Sequence, residues 1–114
     1  MPSILALGDL IDTPELTPVA IAEAMLLVDH HFGNVTPEPL DYDRIPTAVF
    51  CHPNIGTVGL SEEAALEQLG NIRVYRTDFR AMKHTLSGSQ ERTLMKLVVD
   101  EATDRVVGAH MVGD

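Results

Sequence analysis

The chain has 114 residues, 17 acidic side chains against 8 lysines and arginines, and a formal net charge of −9. It contains no basic cluster, so nucleic acid, whose binding requires phosphates to be neutralised, is not an expected partner. No apolar run is long enough to span a bilayer and no helix offers a basic membrane-binding face, so a membrane is not expected either. The length fits one small domain or pieces of two.

The first segment predicts a short strand followed by an acidic turn. Residues 3–7, with the sequence SILAL, are apolar and predict a buried strand that ends at Gly8 and Asp9. Ligands of open α/β sheets bind beyond the carboxyl ends of strands, and a carboxylate there can accept hydrogen bonds from the hydroxyl groups of a sugar or ribityl chain. Asp9 is therefore a candidate ligand contact, although turn chemistry alone also favours a Gly-Asp pair in a solvated turn.

A helix is predicted next. Thr17 is expected to be its N-cap, Pro18 its first helical residue, and Gly33 the residue that ends it. Between residues 19 and 28 only Glu23 is charged, and a helix that is apolar on nearly every side is typical of a buried position. The backbone amides at its start could stabilise a negative charge, but an ordinary capped helix is the simpler interpretation.

The remainder predicts a linker and a second unit. Residues 35–44 carry prolines and charges without an apolar period and predict a linker between residues 1–34 and residues 45–114. The second unit is predicted to be α+β, with an antiparallel sheet and a helix from Ser61 to Leu69. The predicted strands are TAVFCH, IGTVGLS, IRVYRTDF, TLMKLVVD and RVVGAHMV, the last two forming a hairpin, and a polar loop covers residues 80–92. One short helix leaves much of such a sheet uncovered, which predicts further sequence or a partner surface over it.

The thiol and imidazole side chains give no catalytic or metal-binding pattern. Cys51 is the only cysteine, which excludes an internal disulfide and makes the reducing cytosol the default location. It is predicted to be a small apolar strand residue rather than a nucleophile, because its neighbour His52 would point to the opposite face of the strand. The histidines lack metal-ligand spacing, so no metal site is predicted.

Three stretches together resemble one family. The run ALGDLIDTPELTPVAIAEA is similar to the end of the FAD-binding region of flavoprotein disulfide reductases. The run IPTAVFCHPNIGTVGLSEEAA resembles the opening of their C-terminal dimerisation domain, and residues 79–114 continue that domain. The stretches occur in the family's order and cover nearly the whole chain. Within the family, LTPVA and HPNIGTVGLSE resemble the branch that reduces glutathione disulfide.

The resemblance implies a cofactor and a set of contacts. Members of the family pass hydride from NADPH to FAD, and electrons then reach a cysteine pair and the substrate disulfide. Asp9 matches the family aspartate that holds the FAD ribityl hydroxyls. Leu16 and Thr17 match the helix start that faces the flavin pyrimidine edge, where the helix dipole would stabilise charge on the reduced flavin. Glu15 and Ala48 match positions that line the nicotinamide side.

The sequence also departs from the family pattern. The FAD fingerprint G-x-G-x-x-G, the C-x-x-x-x-C pair and the H-P-T-x-x-E-E motif do not occur, so no catalytic residue is assigned and the chain alone is expected to be a fragment without activity. Met25 stands where some glutathione-reducing members carry an arginine that contacts glutathione, which leaves the disulfide substrate open. A lipoamide, trypanothione or mercuric reductase is an alternative within the same class. A non-catalytic dimerisation module is a further alternative. The resemblance implies a cytoplasmic homodimer formed through the C-terminal domain.

Overall fold

The computed structural model describes residues 4–34 and 36–113, which form two compact units. The first unit ends at Ile45 and contains helix α1, Thr17–Phe32, with 3-10 turns at Gly8–Leu10 and Tyr42–Arg44. The second begins at Pro46 and contains a sheet with two helices. The division into a FAD-domain tail, a linker and a truncated dimerisation domain stays a prediction.

The strand predicted at the start of the chain is not observed. Ile4–Leu7 form no strand, and Ser3 lies outside the described residues. A strand needs a neighbouring strand to pair its backbone groups, and the described part of the first unit contains none. Ile4 and Leu5 are accordingly 67% and 55% exposed.

The N-terminus of α1 differs by one residue from the prediction. The carbonyl oxygen of Leu16 accepts the amides of Val19 and Ala20 at 2.9 and 3.1 Å, so Leu16 and not Thr17 is the N-cap. Leu16 has no side-chain oxygen to cap the helix, and Pro18 becomes the second helical residue. The predicted end at Gly33 is confirmed.

Helix α1 is not buried within this chain, contrary to the sequence-based expectation. Of its residues only Val19 and Glu23 are buried, whereas Met25 is 63% and Phe32 83% exposed. The first unit contains too little other structure to cover a helix that is apolar on every side. The one charged residue in the middle of the helix is thus among its best-buried side chains.

The second unit is built on the predicted antiparallel sheet, in the order β1-β2-β5-β4-β3. Its strands are β1 Thr47–Val49, β2 Ile55–Gly59, β3 Ile72–Phe79, β4 Thr93–Asp100 and β5 Arg105–Val112. The predicted hairpin of β4 and β5 is confirmed, with a turn at residues 101–104. The carboxylate of Asp100 accepts the amide of Ala102 at 3.1 Å and the hydroxyl of Thr103, which closes this turn locally.

Two local predictions in this unit were wrong. β1 stops at Val49, and Cys51 lies exposed in a bend, its sulfur 3.0 Å from the carbonyl oxygen of Pro53, rather than in a strand. The loop predicted over residues 80–92 contains a one-turn helix, α3, His84–Ser87, which Gly88 ends with φ 71°. The sequence of this turn is short and polar, so it carries no helical apolar period.

Helix α2, Glu62–Leu69, covers one face of the sheet. Ser61 caps it as predicted, its hydroxyl accepting the amide of Ala64 at 3.1 Å. Glu62 in the first turn pairs with Arg76 of β3 and lies 3.5 Å from the ammonium group of Lys96 of β4. The hydrogen bond from Arg76 is the main cause that lowers the pKa of Glu62, with Lys96 adding to it. These pairs link the start of α2 to the two strands, while Ala65 is the residue of the helix that is fully buried.

The segment between β2 and α2 crosses β5 so closely that the two backbones are in direct contact. The amide of Leu60 donates to the carbonyl of Val107 at 2.9 Å, and Nε2 of His110 donates to the carbonyl of Leu60 at 3.0 Å. A Cβ on Gly59 would collide with the Val107 carbonyl oxygen, and one on Gly108 with that of Leu60. Gly59 also has φ 74°, so both close approach and backbone conformation require glycine.

The sheet face opposite α2 is open and apolar. Side chains alternate between the faces of a strand, so the neighbours of Arg76 and Lys96 point away from α2. The aligned positions on that face include Tyr75, Met95, Leu97, Ala109 and Met111. Tyr75 is 50% and Leu97 42% exposed, and a shallow apolar groove runs over Met95, Leu97 and Met111. The expectation that one helix leaves this sheet uncovered is confirmed.

Replacing Gly108 with alanine is expected to destabilise the second unit by about 2–3 kcal/mol, because the new methyl group forces the Leu60 carbonyl away from β5. Gly88→Ala is the matched control. Gly88 has a positive φ but nothing within 4 Å of an added Cβ, so it should cost only about 1 kcal/mol. Urea unfolding followed by circular dichroism measures both, and equal losses would contradict the close crossing.

Candidate functional site

The turn that carries Asp9 packs directly on α1. Gly8 adopts φ 65°, and a Cβ placed on it would lie 3.3 Å from the Cβ of Ala20. The amide of Gly8 donates to Oε2 of Glu23 at 2.6 Å in a buried hydrogen bond. The turn is therefore anchored to the helix through its first residue.

The carboxylate of Glu23 gathers three segments of the first unit. Its Oε1 accepts the hydroxyl of Thr13 at 3.0 Å and the phenol of Tyr42 at 2.8 Å, in addition to the Gly8 amide on Oε2. Glu23 is only 7% exposed, and each of its bonds joins it to a different part of the chain. Tyr42 belongs to the stretch predicted to be a linker, so part of that stretch is held against α1.

Hydrogen bonding keeps Glu23 ionised. The amide of Gly8 is the largest cause that lowers the pKa of Glu23, and the hydroxyls of Tyr42 and Thr13 lower it further, against the opposing effect of burial. The same bond to Glu23 raises the pKa of the Tyr42 phenol, which therefore remains a donor. A charged acceptor with three donors is the arrangement in which a buried carboxylate stabilises a fold.

Four of the five candidate cofactor contacts lie in the first unit. Asp9, Glu15 and Thr17 are exposed, and Leu16 is half-buried. The amide of Leu16 is bonded to the carbonyl of Pro14 at 2.8 Å and is not available to a ligand. For the amide of Thr17, no hydrogen-bond partner is found in the part of the chain that the structure describes.

These residues fit the chemistry of a flavin nucleotide. The exposed carboxylate of Asp9 can accept hydrogen bonds from hydroxyl groups, and the Thr17 amide at the start of α1 can donate to an acceptor edge. The turn and the helix are in contact, so both groups belong to one compact element. Ala48, the fifth candidate, is exposed on β1 of the second unit, where it pairs with Gly56.

Neither a metal-binding cluster nor a membrane-spanning helix is found in the described residues. Across residues 4–34 and 36–113, no three histidine, cysteine or acidic side chains are arranged to hold a metal ion. None of the helices described there is both long and apolar enough to cross a membrane.

Glu23 is the residue that the sequence-based argument missed. The sequence did mark Glu23 as unusual, because it is the only charged residue between residues 19 and 28 of an otherwise apolar helix. A lone acid on an apolar face requires partners when it is buried, but those partners lie 10 to 19 residues away along the chain.

Comparison with known proteins identifies the class. Residues 45–114, more than half of the chain, match the dimerisation domain of pyridine nucleotide-disulphide oxidoreductases. The chain therefore belongs to this family. The match covers all of the second unit and includes every strand of the sheet.

Particular relatives are similar over the whole chain. It is 50% identical, over 99% of its length, to glutathione reductase of Nostoc sp. (strain PCC 7120 / SAG 25.82 / UTEX 2576). It is 49% identical, over its full length, to the chloroplastic/mitochondrial glutathione reductase of Pisum sativum. The chain spans 25% and 20% of those two proteins. Its fold is similar to that of the HOCl-induced flavoprotein disulfide reductase RclA from Escherichia coli, with a TM-score of 0.81 and 26% identity over 96% of this chain and 25% of that one.

Replacing Glu23 with glutamine is expected to remove an acid-sensitive part of the stability. Because the pKa of Glu23 is lowered on folding, its ionised form stabilises the fold fully above the ordinary value of 4.5. That stabilisation is lost as the pH falls through the lowered value. Thermal melting at about pH 7 and about pH 3 should therefore show a smaller acid-induced drop for Glu23→Gln than for the unaltered protein. The exposed control Glu38→Gln should follow the unaltered protein, and an undiminished drop in Glu23→Gln would refute this role.

Proposed function

We propose that the chain is part of an FAD-dependent, NADPH-linked reductase of glutathione disulfide, to which it contributes flavin contacts and a dimer interface. The observation that carries this proposal is the 41–50% identity to glutathione reductases over essentially the whole chain. The similarity is not confined to the dimerisation domain. It extends through the first unit, where Asp9 and Thr17 lie.

The first unit would hold the flavin by two kinds of contact. The Asp9 carboxylate would accept the ribityl hydroxyls, and the Thr17 amide would donate to the pyrimidine edge. Leu16 would contribute by setting the start of α1. Its carbonyl accepts the first hydrogen bonds of the helix, whereas its amide is bonded to Pro14. When bound, FAD would supply the two-electron chemistry between NADPH and a disulfide. The residues of this chain would bind the cofactor and stabilise charge on it through the N-terminus of α1.

Two further residues are proposed on the nicotinamide side. Glu15 precedes the N-cap of α1 and is exposed, and Ala48 is exposed on β1. A small side chain at Ala48 would allow a flat ring to approach the strand. The single cysteine, Cys51, fits a location in the cytoplasm, where thiols remain reduced.

The second unit would form the interface of a homodimer. It matches the dimerisation domain of the family, and its sheet presents an open apolar face. Residues 1–34 would then be the tail of a FAD-binding domain and residues 45–114 the first part of the dimerisation domain. The chain's span of about a quarter of its relatives is consistent with this division.

A second candidate is a flavoprotein reductase of another disulfide, or of mercuric ion. Met25 is 63% exposed on α1, where an arginine would be expected to contact glutathione. The structural relative RclA is a flavoprotein disulfide reductase, which is the broader class that this candidate shares. A colourless full-length protein would instead favour the non-catalytic dimerisation module.

Asp9→Ala in the full-length protein is expected to lower the FAD content after purification, because the ribityl hydroxyls lose their acceptor. Flavin absorbance near ~450 nm relative to protein measures this content. Asp12→Ala is the matched control, since Asp12 is an exposed acid in the same loop. Equal flavin content in Asp9→Ala and Asp12→Ala would exclude Asp9 as a flavin contact.

The full-length protein is expected to oxidise NADPH when glutathione disulfide is supplied, whereas the 114-residue chain is not. The chain lacks the cysteine pair that the family uses, so it has no electron path to a disulfide. NADPH absorbance should be followed in parallel with lipoamide, trypanothione disulfide and mercuric ion. Preference for one of these substrates would select the second candidate, and turnover by the purified chain would refute the fragment assignment.

A further inference from the structure

We propose that Glu23 is a positioning residue for the flavin contact at Asp9, an inference that rests on the proposed function. Both carboxylate oxygens of Glu23 already accept hydrogen bonds from protein groups, so Glu23 would not itself bind the ligand. It acts by fixing the main chain on both sides of Asp9, so that the Asp9 carboxylate is already oriented before FAD binds.

Glu23 is hydrogen-bonded to the residue on each side of the segment formed by residues 9–12. The amide of Gly8, directly before the segment, donates to Oε2 of Glu23 at 2.6 Å. The hydroxyl of Thr13, directly after it, donates to Oε1 at 3.0 Å. One rigid carboxylate on α1 therefore holds both ends of the loop that carries Asp9.

Asp9 itself depends on this support. In the described part of the chain its side chain forms no hydrogen bond with protein groups, and it is exposed. Its direction is set by the main chain at Gly8, which adopts φ 65° and is seated against Ala20. Without the anchor, the turn would retain this packing contact and its local backbone bonds, from Ile11 to Gly8 and from Thr13 to Ile11, but no side-chain bond to α1.

The ionised carboxylate makes the double anchor strong. Both oxygens of ionised Glu23 accept hydrogen bonds, two on Oε1 and one on Oε2. Glutamine has one acceptor oxygen, and if that oxygen accepts the Gly8 amide, its NH2 group must donate to the Thr13 and Tyr42 hydroxyls instead of accepting from them. Glu23→Gln should therefore keep the packing of the side chain but replace the charge-assisted bonds at both ends of the segment with weaker neutral ones.

Release of either end would weaken ligand binding by loss of preorganisation. A mobile Asp9 must be ordered when FAD binds, and the free energy of that ordering is subtracted from the affinity. For loss of a hydrogen bond to a charged group, the expected effect is about a tenfold rise in the dissociation constant for FAD.

A double-mutant cycle on the full-length protein tests the proposal. Flavin-free protein is titrated with FAD, and the dissociation constant is measured from the change in flavin fluorescence. Glu23→Gln and Asp9→Ala should each weaken binding, and the double variant should bind no more weakly than Asp9→Ala alone. This result is expected because Glu23 can act only through Asp9.

The alternatives give different patterns. If Asp9→Ala binds FAD normally, the proposed flavin contact fails and the positioning role fails with it. If Asp9→Ala weakens binding and Glu23→Gln adds its full effect in the double variant, the flavin contact stands but Glu23 acts as a general stabiliser. The same conclusion follows if Glu23→Gln leaves the affinity unchanged.

Two hydroxyl deletions provide a matched pair that is independent of Glu23 variants. Thr13→Val and Tyr42→Phe each remove one donor from the same oxygen, Oε1. Only Thr13 borders the segment of residues 9–12, so Thr13→Val should weaken FAD binding several times more than Tyr42→Phe. Equal effects from the two variants would overturn the positioning role, because a purely structural cluster has no reason to distinguish them.

Discussion

A single ionised carboxylate organises the first unit of this protein. Glu23 accepts one amide and two hydroxyl groups while being almost fully removed from solvent. Burial of a charge is unfavourable unless donors replace the lost water, and here three donors do so, two at the ends of the loop that carries Asp9 and one at Tyr42. The helix, the acidic turn and the segment that includes Tyr42 are therefore connected at one point. The position of the acidic turn on α1 therefore depends in part on this carboxylate.

The second unit depends on a different constraint, which is the close approach of the backbone at Leu60 to the backbone of β5. Other contacts hold its helix and strands together. The strand pairing and the pairing of Glu62 with Arg76 and Lys96 hold α2 on one face. The opposite face remains apolar and open. A sheet with one covered face and one exposed face is suited to association, which agrees with the dimerisation domain that the family description names.

Local signals in the sequence predicted most of the second unit. The β-branched runs, the Ser61 cap and the turn between Asp100 and Arg105 act over a few residues, so their pattern is readable without a structure. The first unit was predicted less well because its structure depends on remote partners. Ile4–Leu7 form no strand for lack of a neighbour, and α1 is apolar without being covered.

The candidate site shows the same contrast. Resemblance to a family pointed to Asp9 and Thr17, whereas the hydrogen bonds between Glu23 and the residues on either side of residues 9–12 could not be predicted from spacing. The donors to Glu23 lie at Gly8, Thr13 and Tyr42, with no shared period. Helix start positions are also sensitive to single carbonyl groups, which is why Leu16 rather than Thr17 is the N-cap.

The crossing of Leu60 over β5 limits how the sequence of this domain can vary through evolution. The obstacles at Gly59 and Gly108 are carbonyl oxygens, which every amino acid carries. Exchanging the side chains of Leu60 or Val107 would leave those oxygens where they are, so no compensating substitution there makes room for a methyl group. Glycine is therefore required at both positions by the course of the backbone, whichever side chains surround them.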